Sequence, residues 1–291
     1  MRDVFIGKSI YDLMINDIIR SVGSKLPAPI RRRAVPVYNY LIRSRNANQS
    51  YNPRQFFNSH YRAGGGVSDE VTITIQDGYD LETTFHYNAV ENAIISELIR
   101  AEIDPRECDV LDIGSGAGHW IDFWLDRESA SVTGIEISDE AISALRSQYR
   151  ENDKVSILHG DVSSPDIDLS EYDIVNAIGV MFHIVEDERW EQAISNICSS
   201  LRDGGKGFIG GEFGWISTNK QFHRTDEFDS LEERDSIGDG EMLVNKRLRS
   251  RRQWKREIMR CDGGGAKVEI TETKVPDYIV TPQNNVLVFE I

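Results

Sequence analysis

The sequence predicts an α/β fold, in which a doubly wound, mostly parallel, seven-stranded sheet carries an antiparallel strand at its C-terminal edge. From residue 110 onward, short apolar strands alternate with helical segments, which is typical of a parallel sheet covered by helices on both faces. The last two strands, residues 268–275 and 286–291, have no helix between them. They are expected to pair antiparallel, because a parallel pair needs a long crossover.

The chain before this repeat is interpreted as an appendage of helical and irregular structure, residues 1–68. Apolar residues at helical spacing predict an amphipathic helix over residues 4–20, and prolines then interrupt regular structure. The tract 46–58 is polar and turn-rich, and Gly64-Gly65-Gly66 is expected to form a hinge into the main domain, residues 69–291.

A hairpin and a helix are predicted at the start of the main domain. Residues 71–75 alternate with period two, residues 81–85 give a second strand, and Asp77-Gly78 between them favours a turn. Apolar residues on one face then predict a helix over residues 88–103.

The repeating part begins with a strand at 110–113, a glycine-rich turn and a helix at 118–126. Ser138 is a good N-cap for the helix after the second strand, since its hydroxyl can accept a hydrogen bond from a free backbone N–H. Residues 216–249 are a charged insertion that could serve as a substrate lid. The other elements are predicted as strands 131–137, 155–158, 172–178 and 207–212 and helices 187–201 and 250–260.

Charge is distributed unevenly along the chain. Residues 1–65 carry 11 Lys or Arg against 3 Asp or Glu, whereas the other residues carry 22 against 45, within a net charge of -15. An acidic body repels phosphate backbones, so nucleic acid is not the expected partner. The basic N-terminal region, with Arg31-Arg32-Arg33, could dock on an anionic substrate or membrane surface, or pack on the acidic body of the chain. The basic cluster Lys246–Arg256 is interpreted as a solvated helix face that could alternatively meet an anionic acceptor.

The remaining composition favours a cytoplasmic protein without a metal. The three cysteines are far apart and form no Cys-x-x-Cys pair, which indicates thiols in a reducing compartment. The sequence has no apolar run of about 18 residues and no signal-peptide core, so neither a transmembrane segment nor secretion is expected. The six histidines are scattered, and no metal is expected.

The glycine-rich turn is the strongest functional motif. Glycines after the first strand allow close backbone approach, and the following helix N-terminus offers free N–H groups to an anionic cofactor group. A dinucleotide site requires Gly-x-Gly-x-x-Gly, whereas this chain has Gly114-x-Gly116-x-Gly118 and His119. The spacing therefore argues against NAD or FAD. Asp112 lies at the end of the first strand, two residues before Gly114.

Two further acids follow neighbouring strands. Glu136 ends the second strand, where a carboxylate can accept both hydroxyls of a ribose. Asp161 follows the third strand in Gly160-Asp161-Val162, where it can reach an adenine amino group. A helix cap or turn residue is the alternative interpretation of Asp161.

Together these motifs resemble the class I S-adenosylmethionine-dependent methyltransferase family, whose fold is Rossmann-like. Residues 110–118 are similar to its motif I, Glu136 to its acidic residue after motif I, residues 172–179 to its motif IV and residues 200–207 to its lead into the fifth strand. The resemblance covers residues 88–291 and implies S-adenosyl-L-methionine as the cofactor. The cofactor-binding residues that it implies are Asp112, Gly114, Ser115, Gly116, Gly118, Glu136, Ile137, Asp161, Val162, Asn176 and Gly179.

Methyl transfer from a sulfonium needs mainly alignment, although a hydroxyl or amine acceptor can also need a base. His183 follows the fourth strand, where the family binds acceptors, and is a candidate base; the alternative is a capping or partly buried histidine. Glu212 ends the fifth strand and His223 lies in the insertion, and both are weaker candidates. Trp120 and Trp124 are expected in the core.

Three functions are compatible with these features. The first is O-methylation of a small molecule or glycan, because residues 180–190 loosely resemble family members that act on small hydroxylated metabolites. The second is methylation of RNA or protein through the basic N-terminal arm. The third is a non-catalytic binding module that retains the fold.

Overall fold

The computed structural model describes residues 52–68, 80–169, 171–211, 213, 217–223, 242–261, 263–272 and 285–291. Within these ranges the helices are α1 (Pro53–Ala63), α2 (Asp80–Arg100), α3 (His119–Leu125), α4 (Asp139–Gln148), α5 (Asp187–Ser199) and α6 (Arg251–Cys261). The strands are β1 (Asp109–Ile113), β2 (Ser131–Glu136), β3 (Val155–His159), β4 (Tyr172–Ile178), β5 (Leu201–Gly211), β6 (Thr218–His223), β7 (Met242–Leu248), β8 (Lys267–Glu272) and β9 (Asn285–Glu290). Short 3-10 turns occupy Pro105–Glu107 and Met181–His183.

Seven strands form one sheet in the order β3-β2-β1-β4-β5-β9-β8. Strands β1 to β5 pair in parallel, and β9 pairs antiparallel with both β5 and β8. The predicted fold class is therefore confirmed. The antiparallel strand is β9, which lies next to the edge strand β8 and not at the edge itself. The strand order reverses between β1 and β4, and in open α/β sheets such a switch point opens a crevice at the carboxyl ends of the strands.

Two apolar clusters cover the two faces of this sheet. Alternate residues of β1 divide between them: Leu111 and Ile113 pack with α5 and α6, whereas Val110 packs with α2 and α3. Trp124 is fully buried in the second cluster, as predicted, and Trp120 is buried beside it. Burial on both faces makes the sheet a rigid platform for residues at its carboxyl edge.

The region before β1 differs from the predicted hairpin. Residues 81–85 belong to helix α2, which begins at Asp80, so the strand predicted there is wrong. The first strand of that hairpin, residues 71–75, lies outside the described residues, as does the predicted helix 4–20.

The tract expected to be turn-rich contains helix α1. The side chain of Asn52 caps its N-terminus by accepting from the backbone N–H of Gln55 at 3.1 Å, and Pro53 occupies the first turn. The helix therefore begins with two strong start signals.

The insertion is ordered where the structure describes it. Strands β6 and β7 pair antiparallel, with Thr218 opposite Leu248, whereas residues 224–241 lie outside the description. Lys246 and Arg249 are each about 1% exposed, so the expected solvated face is wrong for these two residues. Arg249 is enclosed because its guanidinium packs 4.4 Å from the ring centre of Trp190.

In the described part of the chain, no helix combines the length and apolarity that crossing a lipid bilayer requires.

Candidate active site

The glycine-rich turn leaves β1 at the switch point and adopts a backbone that only glycine tolerates well. Gly114, Gly116 and Gly118 have φ angles of 71°, 55° and 98°. A Cβ on Gly114 would lie 2.3 Å from Cγ2 of Val180, and one on Gly118 would lie 2.5 Å from the hydroxyl of Tyr149. The backbone N–H of Gly114 donates to the carbonyl of Ile135 at 2.7 Å, which ties the turn to β2.

Glu136 ends β2 with its carboxylate inside the protein. Its Oε2 accepts from the backbone N–H of Gly116 at 3.0 Å, and its Oε1 accepts from the N–H groups of Ile137 and Ser138 at 2.7 and 2.8 Å. Burial raises the pKa of this carboxyl, and the three backbone hydrogen bonds oppose the rise. An acceptor position remains on Oε2, so the carboxylate can receive a ligand hydroxyl.

Asp112 lies beneath the turn and is fully buried. Nδ2 of Asn176 donates to its Oδ1 at 2.8 Å, while Oδ2 of Asp112 and Oδ1 of Asn176 have no partner. Burial raises the pKa of Asp112 to about 6, against the effect of the hydrogen bond from Asn176. This pair supports the turn from below and does not line the cavity.

Asp161 follows β3 and makes an ion pair that sequence reasoning missed. Its Oδ1 accepts from the backbone N–H and hydroxyl of Ser163 at 2.8 and 2.6 Å. Its Oδ2 accepts from Nη2 of Arg189, in the first turn of α5. The turn-residue interpretation and a ligand role are therefore compatible, because three of the four acceptor positions of the carboxylate are used.

One cavity connects the glycine turn, Glu136 and Asp161. It encloses about 1200 Å³, including its opening to solvent. Nine of the residues predicted for the site line it, whereas Asp112, Gly118 and Asn176 do not. The nine are Gly114, Ser115, Gly116, Glu136, Ile137, Asp161, Val162, Gly179 and His183.

Aromatic residues from outside the predicted site form the opposite walls. Phe57 and Tyr61 of α1 and Tyr87 of α2 face the cavity, together with His119 and Trp120 of α3. The rings of Tyr87 and His119 stack with centroids 3.8 Å apart and planes 15° apart. Helix α1 thus covers a site built by the sheet.

Helix α1 is held in place by the start of α4. Arg54 forms a two-pronged ion pair with Asp139, and Nδ2 of Asn58 donates to the same carboxylate at 2.9 Å. Arg62 pairs with Glu140 at 2.7 Å. These contacts hold the pKa of Asp139 well below its usual range, chiefly through the hydrogen bond from Arg54. The described part of the basic region therefore packs on the acidic body of the chain.

His183 is the candidate base that the structure places in the cavity. It ends the 3-10 turn after β4, is buried, and meets the ring of Phe57 edge-on with centroids 5.1 Å apart. Glu212 lies outside the described residues, and only the backbone of His223 is described, at the end of β6. Clusters of three or more metal-ligating side chains are absent from the described residues.

The segment after His183 is held from behind by the insertion. Arg249 donates from Nη1 to the carbonyl of Ile184 at 2.8 Å and from Nη2 to the carbonyl of Val185 at 3.3 Å. It also donates to Asp187 at 3.1 Å, and burial lowers its pKa to about 10. A buried arginine therefore positions the wall beside the candidate base.

Comparison with known proteins agrees with this geometry. Residues 110–205 match the family model described as a methyltransferase domain. Nodulation protein S of Azorhizobium caulinodans is 36% identical over 103 residues, which are 35% of this chain and 48% of that protein. Ribosomal RNA small subunit methyltransferase A of Prochlorococcus marinus is 21% identical over 89 residues, 30% of each chain. The chain thus spans less than half the length of these two relatives.

A solved structure shares the fold. The 1,6-didemethyltoxoflavin-N1-methyltransferase of Burkholderia thailandensis, with bound 1,6-didemethyltoxoflavin and S-adenosylhomocysteine, has a TM-score of 0.51 and 15% identity. The alignment covers 84% of this chain and 92% of that chain. The match over residues 110–205 shows that the chain contains a methyltransferase domain, and the strand order together with this neighbour shows that its fold is Rossmann-like.

Proposed function

We propose that this protein binds S-adenosyl-L-methionine and transfers its methyl group to a small molecule. The observation that carries the proposal is one cavity in which the glycine turn and the buried carboxylate of Glu136 face His183. Bound S-adenosylhomocysteine in the Burkholderia thailandensis neighbour supports the same ligand class here.

The cofactor-binding residues fit this ligand. Gly114 allows the turn to pass close to Val180, and the backbone of Gly114 and Gly116 lines the cavity in which the methionine part would lie. The free acceptor position of Glu136 suits a ribose hydroxyl. Asp161 and Val162 lie at the end where an adenine would sit. Asp112 and Asn176 act from beneath the turn.

The cofactor supplies an electrophilic methyl group on a sulfonium, so the protein mainly has to align the acceptor and exclude water. The aromatic walls from α1, α2 and α3 shield the cavity. His183, which lines the cavity, is assigned the role of a base that accepts the acceptor's proton.

A small acceptor is supported by helix α1, which covers the cavity. Oxygen is the proposed methyl acceptor, because a hydroxyl can need a base and His183 lines the cavity. Nitrogen is the second candidate, favoured by the aromatic rings of Phe57, Tyr61 and Tyr87, which suit a cationic or heteroaromatic amine. In the described region, Arg54 and Arg62 of the basic arm are engaged with Asp139 and Glu140, which does not favour an RNA contact.

The first test is calorimetric titration of the purified protein with S-adenosylmethionine and, separately, NAD. Micromolar binding of the first ligand, lost in Glu136→Ala and absent for NAD, is the expected result. Ser129→Ala is a matched control, because Ser129 is also buried but lies away from the cavity. Failure of the wild-type protein to bind S-adenosylmethionine at low and high salt would refute the proposal.

Turnover then separates an enzyme from a binding module. The protein is incubated with methyl-¹³C S-adenosylmethionine and panels of hydroxylated and amine acceptors, and products are identified by the carbon shift of the new methyl group. An O-methyl signal supports the proposed acceptor, whereas an N-methyl signal supports the second candidate. Cofactor binding without product, with RNA and protein acceptors included, favours the binding module.

A further inference from the structure

The loop after β3 is clamped by two side chains of α5. Arg189 donates from Nε and Nη2 to the hydroxyl of Ser163 at 3.1 and 2.9 Å, in addition to its pairing with Asp161. Nδ2 of Asn196, two turns further along, donates to the carbonyls of Val162 and Ser164 at 2.7 and 2.8 Å. The position of this loop is therefore determined by α5 as well as by β3.

The clamp leaves the carboxylate of Asp161 little freedom. Ser163 occupies both positions of Oδ1, and Arg189 occupies one position of Oδ2. One acceptor position on Oδ2 therefore remains for a ligand. Asp161 and Arg189 both line the cavity, so this position is within reach of a molecule bound there.

We propose that Arg189 is a positioning residue that aims the remaining acceptor position of Asp161 at the 6-amino group of a purine and thereby sets a preference for adenine over a 6-oxo purine. This inference rests on the proposed function, because it assumes that the adenine end of the cofactor lies beside Asp161. The glycine and acid motifs do not predict this role for Arg189, because they follow strands β1, β2 and β3 whereas Arg189 lies in helix α5.

The chemistry of the two groups explains the preference. A carboxylate only accepts hydrogen bonds, so it attracts an amino group and repels the carbonyl oxygen of a 6-oxo purine. Nη2 of the guanidinium donates to Asp161 and Ser163, and its Nε also donates to Ser163, so one planar group joins the two side chains in a fixed geometry that an ammonium group does not impose. Without Arg189, the carboxylate can rotate about its side-chain bonds and hydrate, and its discrimination between the two purines should fall.

The test compares S-adenosylhomocysteine with its 6-oxo counterpart, S-inosylhomocysteine, by calorimetric titration. The wild-type protein should prefer the amino ligand by at least about tenfold, which is the magnitude of one charge-assisted hydrogen bond. Arg189→Ala should weaken the amino ligand about tenfold and leave the 6-oxo ligand within about twofold, so that the preference is lost. Arg189→Lys should lie between, because it keeps the charge without the fork.

Arg202→Ala is the matched control. Arg202 also joins two acidic partners, Asp109 and Asp173, and its side chain is 40% exposed against 38% for Arg189, but it lies outside the cavity lining. The ratio of the two affinities should be unchanged in this variant. Asp161→Asn offers a second readout, since its amide can donate to a 6-oxo group and should shift the preference toward S-inosylhomocysteine.

The outcomes distinguish the two levels of the proposal. If the wild-type protein binds neither ligand, the proposed function fails and the inference fails with it. If it binds S-adenosylhomocysteine but Arg189→Ala weakens both ligands equally, or neither, Arg189 is structural and only the inference is overturned. Circular dichroism of each variant confirms that the comparison is made on folded protein.

Discussion

The buried carboxyl of Asp112 makes stability depend on pH in a direction that can be calculated. Its pKa is raised from 3.8 to about 6, chiefly by burial, with the negative charge of Glu136 adding to the rise and His119 opposing it. Because the folded state then holds a proton that the unfolded chain releases, the free energy of unfolding should fall as pH rises from about 4 to about 6. The total loss is about 3 kcal/mol, at roughly 1.4 kcal/mol for each pKa unit.

Asp112→Asn removes this titration and keeps the shape of the side chain. The new amide can still accept from Nδ2 of Asn176, and it can donate to Oδ1 of Asn176, which has no partner in the native protein. The difference in the free energy of unfolding between the variant and the native protein should therefore grow by about 2 kcal/mol, in favour of the variant, as pH rises from about 4.5 to about 8.

Urea unfolding of the cofactor-free protein at several pH values measures this difference. Asp109→Asn, on the same strand, is the control: its pKa is lowered by Ser131 and Arg202, so its contribution to stability is present above about pH 4 and lost only below it. That variant should be less stable than the native protein by an amount that is nearly constant over the same range. A difference for Asp112→Asn that is independent of pH, or that shrinks as pH rises, would refute the reasoning.

Three further predictions follow from the site. Gly114→Ala should weaken S-adenosylmethionine binding at least about tenfold in calorimetry, because the new Cβ would clash with Val180 and the backbone has a positive φ. Gly204→Ala is the control: Gly204 also has a positive φ, but a Cβ there would meet nothing within 4 Å, so its cofactor affinity should be unchanged. His183→Asn should lower kcat about 100-fold while cofactor affinity stays within about twofold, and an unchanged kcat over the full pH range would remove His183 from the chemistry. Asp139→Asn should loosen helix α1, so that the rate of cofactor dissociation in stopped flow rises about threefold. Added salt should raise this rate more in the native protein than in the variant, because the native protein has the ion pair to screen. Equal rates in both proteins would contradict a role for this contact in closing the site.

The repeating strands could be predicted closely from sequence. The bounds of β4 agree at both ends with the prediction, and β3 differs by one residue. The apolar run of β4 is buried on both faces, whereas β3 lies at the sheet edge and is partly exposed; in both strands a short apolar run between turn residues gives the signal. The short segment 81–85 was misleading because five residues of weak alternation do not separate a strand from the first turns of a helix. Continuation into the apolar face of α2 favours the helix, since adding turns to an existing helix costs little.

Helix α1 could have been found from its N-terminal signals. Asn52 followed by Pro53 is a favourable helix start, but the polar composition of the tract outweighed it. Its apolar contribution is limited to one edge with Phe57 and Tyr61, and these face the cavity instead of a large core. A helix with so narrow an apolar edge is stabilised mainly by partners elsewhere in the chain, which sequence periodicity does not reveal.

The sequence by itself determined the strands of the main sheet, the glycine turn and the acids at Glu136 and Asp161, because each follows from local spacing and from what a backbone can adopt at one position. Only the tertiary structure decided that Asp112 and Asn176 lie beneath the cavity, that His183 is buried in it and that Arg189 holds Asp161. Arg189 is 28 residues from Asp161, and Arg54 is 85 residues from Asp139. Such contacts depend on the order in which strands and helices pack side by side, and this order brings charges together that no local pattern places near one another.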